Sequence, residues 1–287
     1  MIQNTPIPVD LHCHSTYSDG AHDIKYVLDL VQQNGGKYIA LTDHDTVSGI
    51  DEASKYAASI GLHFISGVEI SVTWQPGILL HIIGLNVDST NQSLIDNLDS
   101  LRSCRYTRGE EIASKLAKIG IPNALEGALK YCVDKNSLSR THFARFLVEN
   151  GYAKPNKVFD KFLIKGAPAY TSQTWATLPD AVNWINMSGG VAIIAHPMRY
   201  KMNKTQLQEL ITDFKSCGGV GIEVVSSRMD TVSTIEMLKL ADKNHLLGSV
   251  GSDFHNTDNY PKVTPGINYI PEGFLDISIF NKLGIVL

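Results

Sequence analysis

Short apolar runs alternate with stretches of helical period along the first third of the chain. Residues 7–11, 37–41, 62–65 and 79–85 read as strands, and 22–34 and 47–60 as helices, the second stopped by Gly61. The same alternation returns after residue 178, with helices expected at 178–188, 205–217 and 231–244. Strands are expected there at 190–195, 220–225 and 246–250. Between them, from about residue 93 to 165, no strand pattern occurs. Helical periodicity dominates, interrupted at Gly120-Ile121-Pro122, Gly151 and Lys154-Pro155. This rhythm predicts an α/β fold on a largely parallel sheet of about seven strands, a closed or distorted βα barrel. Residues 7–92 and 171–287 form the expected barrel, and 93–170 an inserted helical subdomain.

Composition changes this picture little. Hydrophobic residues make up 43% and charged residues 19%, as in an ordinary globular enzyme. No apolar run is long enough to span a membrane, and the first nine residues lack the pattern of a signal peptide. Cys13, Cys104, Cys132 and Cys217 are widely spaced and form no CxxC pair. They argue against a disulfide framework and fit a cytoplasmic location. No obligate protein partner is expected.

Charge adds more. The net charge of −4 conceals a basic insertion, with 13 Lys and Arg against 6 Asp and Glu between Leu101 and Tyr170. Either this segment holds an anionic ligand, or it is a solvated helix face.

The chemistry gathers at strand ends. His12 and His14 follow the first strand within Asp10-Leu11-His12-Cys13-His14, and their spacing of two sets both on one side of an extended backbone. His44 lies in Thr42-Asp43-His44-Asp45, Glu69 just past the third strand, and His196 after the run ending at Ala195. Asp253 and His255 close Gly251-Ser252-Asp253-Phe254-His255. His81 falls within its strand. The C-terminal strand ends of α/β barrels carry catalytic groups, and His with carboxylate oxygen suits Mn²⁺, Zn²⁺ or Fe²⁺. Alternative roles exist for several neighbours. Asp19-Gly20 also reads as a turn, and Asp45 or Thr46 as the N-cap of the next helix. Asp43 is expected to orient a ligand histidine, Cys13 to pack, and His22, His63 and His245 to be ordinary histidines. No dinucleotide, Walker A or GxSxG motif is present.

The segments DLHCHSTYSDG, LTDHDTVSG, GVEIS, IAHPMRY and GSDFH closely resemble the polymerase-and-histidinol-phosphatase (PHP) family, in its order and over almost the whole chain. SRTHFARFLVENGY and FLIKGAPAY resemble a subgroup acting on nucleoside 3′,5′-bisphosphates and on the 5′ ends of short RNAs, of the ribonuclease AM type. The resemblance implies a distorted (βα)7 PHP barrel and two to three divalent ions, with Mn²⁺ the expected metal. One ion would be held by His12, His14, Glu69 and Asp253. A second would take Glu69, His81 and His196, and a third Asp19, His44 and His255. The catalytic set would be Asp19, His44, Glu69, His196 and His255. Arg140, His142, Lys165, Arg199 and Arg228 are the expected phosphate contacts, with Arg105 and Arg108 on one helix face as further candidates. Tyr170 and Tyr200 are candidates for stacking a base. The expected reaction is release of the 3′-phosphate from nucleoside bisphosphates and 5′-to-3′ trimming of short RNA. A phosphatase for a small metabolite such as histidinol phosphate, and a non-catalytic PHP module, are the alternatives.

Overall fold

The computed structural model describes residues 5–75, 77–227, 229–257 and 263–287. Its main sheet is formed by β2 (Val9–Cys13), β3 (Tyr38–Leu41), β4 (His63–Gln75), β5 (Ile78–Leu85), β6 (Val191–Ile194), β7 (Gly221–Val225) and β8 (Leu247–Val250). They stand side by side in chain order. A two-stranded ribbon, β1 (Thr5–Ile7) against β9 (Asn268–Ile270), lies apart from this sheet. Beyond β8 the chain returns to β2: Asp253 N–H donates to His12 O (2.8 Å) and His14 N–H to Phe254 O (3.0 Å). The sheet is thereby curled into a nearly closed barrel.

The expected barrel is present, with one topological difference. β5 runs antiparallel to both neighbours. The reason is local: β4 spans thirteen residues rather than four and turns straight back into β5 as a hairpin. No helix intervenes, so the two strands cannot be parallel. Glu69 therefore sits in the middle of a strand, not beyond its end.

Helices pack outside through one apolar face each. In α1 (Ile24–Gln33), Ile24, Val27, Leu28 and Val31 are buried, the spacing of a single helical stripe, and Asp23 caps the N-terminus by accepting from Tyr26 N–H (2.8 Å). α2 (Ile50–Ser59) starts three residues later than expected, after Gly49. α3 (Gln92–Lys118) is the longest helix. Its first turns bury Leu94 and Leu98 in the barrel core, while Ile112 and Leu116 belong to a second buried cluster. That cluster is completed by α4 (Ala124–Leu129), α5 (Arg140–Glu149) and the π-helical turn Phe159–Leu163. α6 (Leu178–Met187), α7 (Lys204–Ser216) and α8 (Thr231–Lys243) then cover the barrel, and α9 (Phe280–Leu283) follows β9. Among the described residues, no helix is long and apolar enough to cross a membrane. All four cysteines are free.

Candidate functional site

Every residue of β2 is buried, so His12 and His14 enter the barrel mouth from a rigid strand end. Their Nε2 atoms face each other at 3.1 Å. Asp253 Oδ1 stands 3.2 Å from one and 3.1 Å from the other. Glu69 lies at the centre of the cluster. Its Oε1 is 3.3 Å from His12 Nε2, 3.0 Å from His81 Nδ1 and 2.9 Å from His196 Nε2. Its Oε2 is 3.2 Å from His14 Nε2 and 3.0 Å from His44 Nδ1. Asp19 Oδ1 reaches His255 Nε2 at 3.3 Å and His44 Nε2 at 3.8 Å. All nine residues that sequence reading nominated as ligands are thus brought together.

These residues fit divalent cations. Three sets offer ligand atoms within 4.8 Å of one another: His12, His14, Glu69 and Asp253; His14, Asp19, His44 and His255; and His44, Glu69 and His81. The grouping differs from the expected one: His14 and His44 each stand in two sets, and His44, in place of His196, joins Glu69 and His81. Asp19 Oδ1 and Glu69 Oε2 are buried carboxylate oxygens without a hydrogen-bond donor, which is costly unless a cation answers them. Burial opposes ionisation of Glu69, but His81, His12 and His44 hold its carboxyl well below the usual range. Burial likewise opposes charge on His14, yet Asp253 and Glu69 raise it to about 10. The carboxylates therefore demand positive charge, which divalent ions supply without protonating the rings. Burial lowers His44 to about 3, leaving a neutral ring with a free lone pair.

The supports of this cluster were less legible. Glu223, buried in β7, accepts from His12 Nδ1 at 2.9 Å and from His196 N–H. It fixes the tautomer that presents His12 Nε2 to the cluster. Replacing Glu223 by Gln is expected to weaken the affinity of the cluster for divalent cations about 10- to 100-fold. An unchanged affinity would mean that Glu223 only fills space. Asp10 ties the strand end down, accepting from Ser252 N–H (2.8 Å) and Gly266 N–H (2.9 Å). Gly251 is obligatory where it stands: a Cβ there would lie 2.2 Å from His12 Cβ. His196 and Asp253 have φ of 27° and 50°, sparsely populated values for residues with side chains.

Two expected supports act differently. Asp43 spends its hydrogen bonds on serines rather than a ligand histidine: it accepts from Ser15 N–H (2.8 Å), Ser15 Oγ (2.6 Å) and Ser18 Oγ (2.5 Å), fixing the loop that carries Asp19. Asp45 does not cap α2. It is fully buried at φ 54°, accepts from Ser71 N–H (2.7 Å) and pairs with Arg105. Thr46 is no helix cap either; its hydroxyl accepts from Ser48 N–H (3.2 Å).

A cavity of about 290 Å³ opens above the cluster, walled on the other side by the insertion. Arg105, Arg108, Arg140 and Arg199 line it, with Ser139, Phe159 and Trp175. Burial lowers Arg108 to about 9, and the guanidiniums of Arg140 and Arg105 push the same way. Arg108 and Arg140, crowded and desolvated, call for an anion. The lysines from Lys118 to Lys165, by contrast, are exposed. The basic insertion thus divides into a ligand-facing arginine side and a solvated lysine side. Arg105 and Arg108 stack on Trp175, 4.7 and 5.4 Å from its ring centroid. Ser139 Oγ donates to Asp19 Oδ2 at 3.2 Å and caps α5.

Most of the other expected substrate contacts lie elsewhere. His142 is buried, and its Nδ1 accepts from Ser139 N–H (3.1 Å) as part of the α5 cap; burial lowers it to about 4, so it carries no charge for a phosphate. Lys165 is exposed against Gly77, outside the cavity wall. Arg199 lines the cavity but pairs with Asp253. Arg228 lies outside the described residues. Tyr200 is no stacking platform, since its hydroxyl accepts from His81 N–H (2.8 Å) beneath the cluster; Tyr170 does not line the cavity. His22 stacks on Tyr26 and Phe254, and His63 on Tyr38; neither belongs to a ligand set.

A family model described as the PHP domain matches residues 10–227. The chain is 42% identical over 248 residues to a 3′,5′-nucleoside bisphosphate phosphatase of Chromobacterium violaceum, covering 86% of this chain and 87% of that protein. It is 42% identical over 247 residues to a 5′-3′ exoribonuclease of Haemophilus influenzae, covering 86% and 89%. A solved structure from Chromobacterium violaceum, described as an amidohydrolase with bound sulfate and no metal, superposes with a TM-score of 0.92 at 39% identity. It covers 97% of this chain and 96% of the other. The histidine and carboxylate rim thus sits on a barrel most of whose sequence matches one family, and this chain belongs to the PHP domain family.

Proposed function

We propose that this chain is a metal-dependent phosphoesterase that removes the 3′-phosphate of nucleoside 3′,5′-bisphosphates and degrades short RNA from its 5′ end. One observation carries the reading: the cation-demanding cluster and the anion-demanding arginines share one cavity. A substrate with two phosphates satisfies both sides at once. The names of the relatives point the same way.

His12, His14, Glu69 and Asp253, with Asp19, His44, His81, His196 and His255, would hold two to three divalent ions, of which Mn²⁺ suits the mixed nitrogen and oxygen donors. When bound, such ions stabilise charge on the phosphoryl oxygens and supply an activated water as nucleophile. Arg108 and Arg140 then anchor the second phosphate, fixing the scissile ester over the cluster. Trp175 and the Thr171 carbonyl hold Arg108 in place. The segment 93–170 is in this reading the substrate-binding subdomain. A cytoplasmic location suits its free cysteines and its substrates.

Replacing Arg140 by Ala is expected to raise KM for a nucleoside 3′,5′-bisphosphate about 10-fold or more, from loss of a charge-assisted contact, with a smaller effect on a monophosphate. An equal change for both would place the second phosphate elsewhere. The function is tested by assaying adenosine 3′,5′-bisphosphate, 5′-phosphorylated oligoribonucleotides and histidinol phosphate with Mn²⁺. Turnover of the first two supports the reading. Turnover of histidinol phosphate alone would make the chain a small-metabolite phosphatase, and turnover of none a non-catalytic module.

A further inference from the structure

We propose that Phe159 is the platform on which the substrate's nucleobase stacks, so that a single ring from the insertion gives the site its preference for nucleotides over other phosphate esters. The inference rests on the nucleotide reading above and extends it to the base.

The cavity holds about 290 Å³, room for one nucleotide. Its wall is mostly charged or polar: metal-type ligands on the barrel side, arginines on the insertion side. The apolar part of the lining is Leu79, Leu80, Phe159 and Trp175. Trp175 is already engaged by the guanidiniums of Arg105 and Arg108 and is buried. Leu79 and Leu80 are aliphatic and offer no π face. Phe159 is half-buried, and among the described residues no aromatic ring or cation stacks on it. A flat base entering this cavity finds one free aromatic face.

The backbone holds that face steady. Phe159 opens the π-helical turn Phe159–Leu163, whose Phe162 and Leu163 are buried in the core of the insertion. Its carbonyl accepts from Ile164 N–H (3.1 Å), and the Leu163 carbonyl accepts from Arg140 Nη1 (3.4 Å). The turn that presents the ring is therefore bonded to an arginine of the anion side. One rigid unit would grip phosphate and base together. π-helical turns are rare and recur at functional sites. Because every base has a π face and stacking needs no edge contacts, the recognition is indifferent to base identity. That suits an enzyme taking successive nucleotides of any sequence.

The test compares KM for adenosine 3′,5′-bisphosphate with KM for the abasic tetrahydrofuran 3′,5′-bisphosphate. Phe159→Leu keeps an apolar side chain against the insertion core but removes the aromatic face; Phe159→Trp keeps one. The wild-type preference for the base-bearing substrate is expected to fall on the order of tenfold in the leucine variant. The tryptophan variant is expected to retain or exceed it. Cytidine and adenosine substrates should shift alike. An unchanged ratio in Phe159→Leu, with wild-type turnover intact, overturns the stacking role and leaves the nucleotide reading standing. Absence of wild-type turnover on the nucleoside bisphosphate overturns both.

Discussion

Glu69→Gln is expected to lower kcat at least a thousandfold, about 4 kcal/mol of transition-state stabilisation. The substitution preserves size, so the packing of β4 is unchanged. It replaces a carboxylate oxygen by an amide nitrogen in a position surrounded by His12, His14, His44, His81 and His196. An amide nitrogen has no lone pair for a cation. Both oxygens of Glu69 are committed to the cluster, and Glu69 belongs to two of the three ligand sets. Its loss therefore disturbs more than one site. Metal analysis of the purified variant should show fewer ions per chain than wild type. Turnover within tenfold of wild type, at saturating substrate and Mn²⁺, would contradict the central position of Glu69.

Asp45→Asn is expected to destabilise the fold by about 3–5 kcal/mol, the usual effect of removing one partner from a buried ion pair. Asp45 is fully buried and Arg105 nearly so, and the two are in direct contact. The variant leaves the Arg105 guanidinium without its counter-charge. Asparagine tolerates positive φ, so the backbone at φ 54° adds little strain of its own. The pair has a second consequence. Asp45 follows His44 directly and binds Ser71, two residues beyond Glu69, while Arg105 belongs to α3 of the insertion. It joins the barrel rim to the arginine wall. Denaturant unfolding should show the lower midpoint at unchanged slope, and KM for the bisphosphate should rise as Arg105 and its neighbours loosen. A stability loss below about 1 kcal/mol would show the pair to be solvent-screened.

The metal-type residues were readable because the chemistry restricts their identity. Few reasons other than cation binding place His12, His14, His44, His196, Asp253 and His255 at successive strand ends. The number of strands and their alternation with helices were readable from the period of the apolar runs. The reversal of β5 was not, because a hairpin strand and a parallel strand bury the same apolar sequence. Glu223 escaped notice for a related reason: a lone carboxylate within Gly221-Ile222-Glu223-Val224-Val225 carries no motif, and only the fold reveals His12 across the barrel. Asp45 precedes a helix, so local sequence favours a cap; its long-range partners Ser71 and Arg105 decide otherwise. His142 looked like a phosphate ligand because it sits in a basic segment, whereas its ring closes the cap of its own helix.

The most direct test of the account strips the protein with chelator and titrates Mn²⁺ back while following phosphate release from adenosine 3′,5′-bisphosphate. The stripped protein is expected to show no turnover, with recovery that saturates at two to three ions per chain. Equal turnover with and without added metal, or none at any metal concentration, would contradict it.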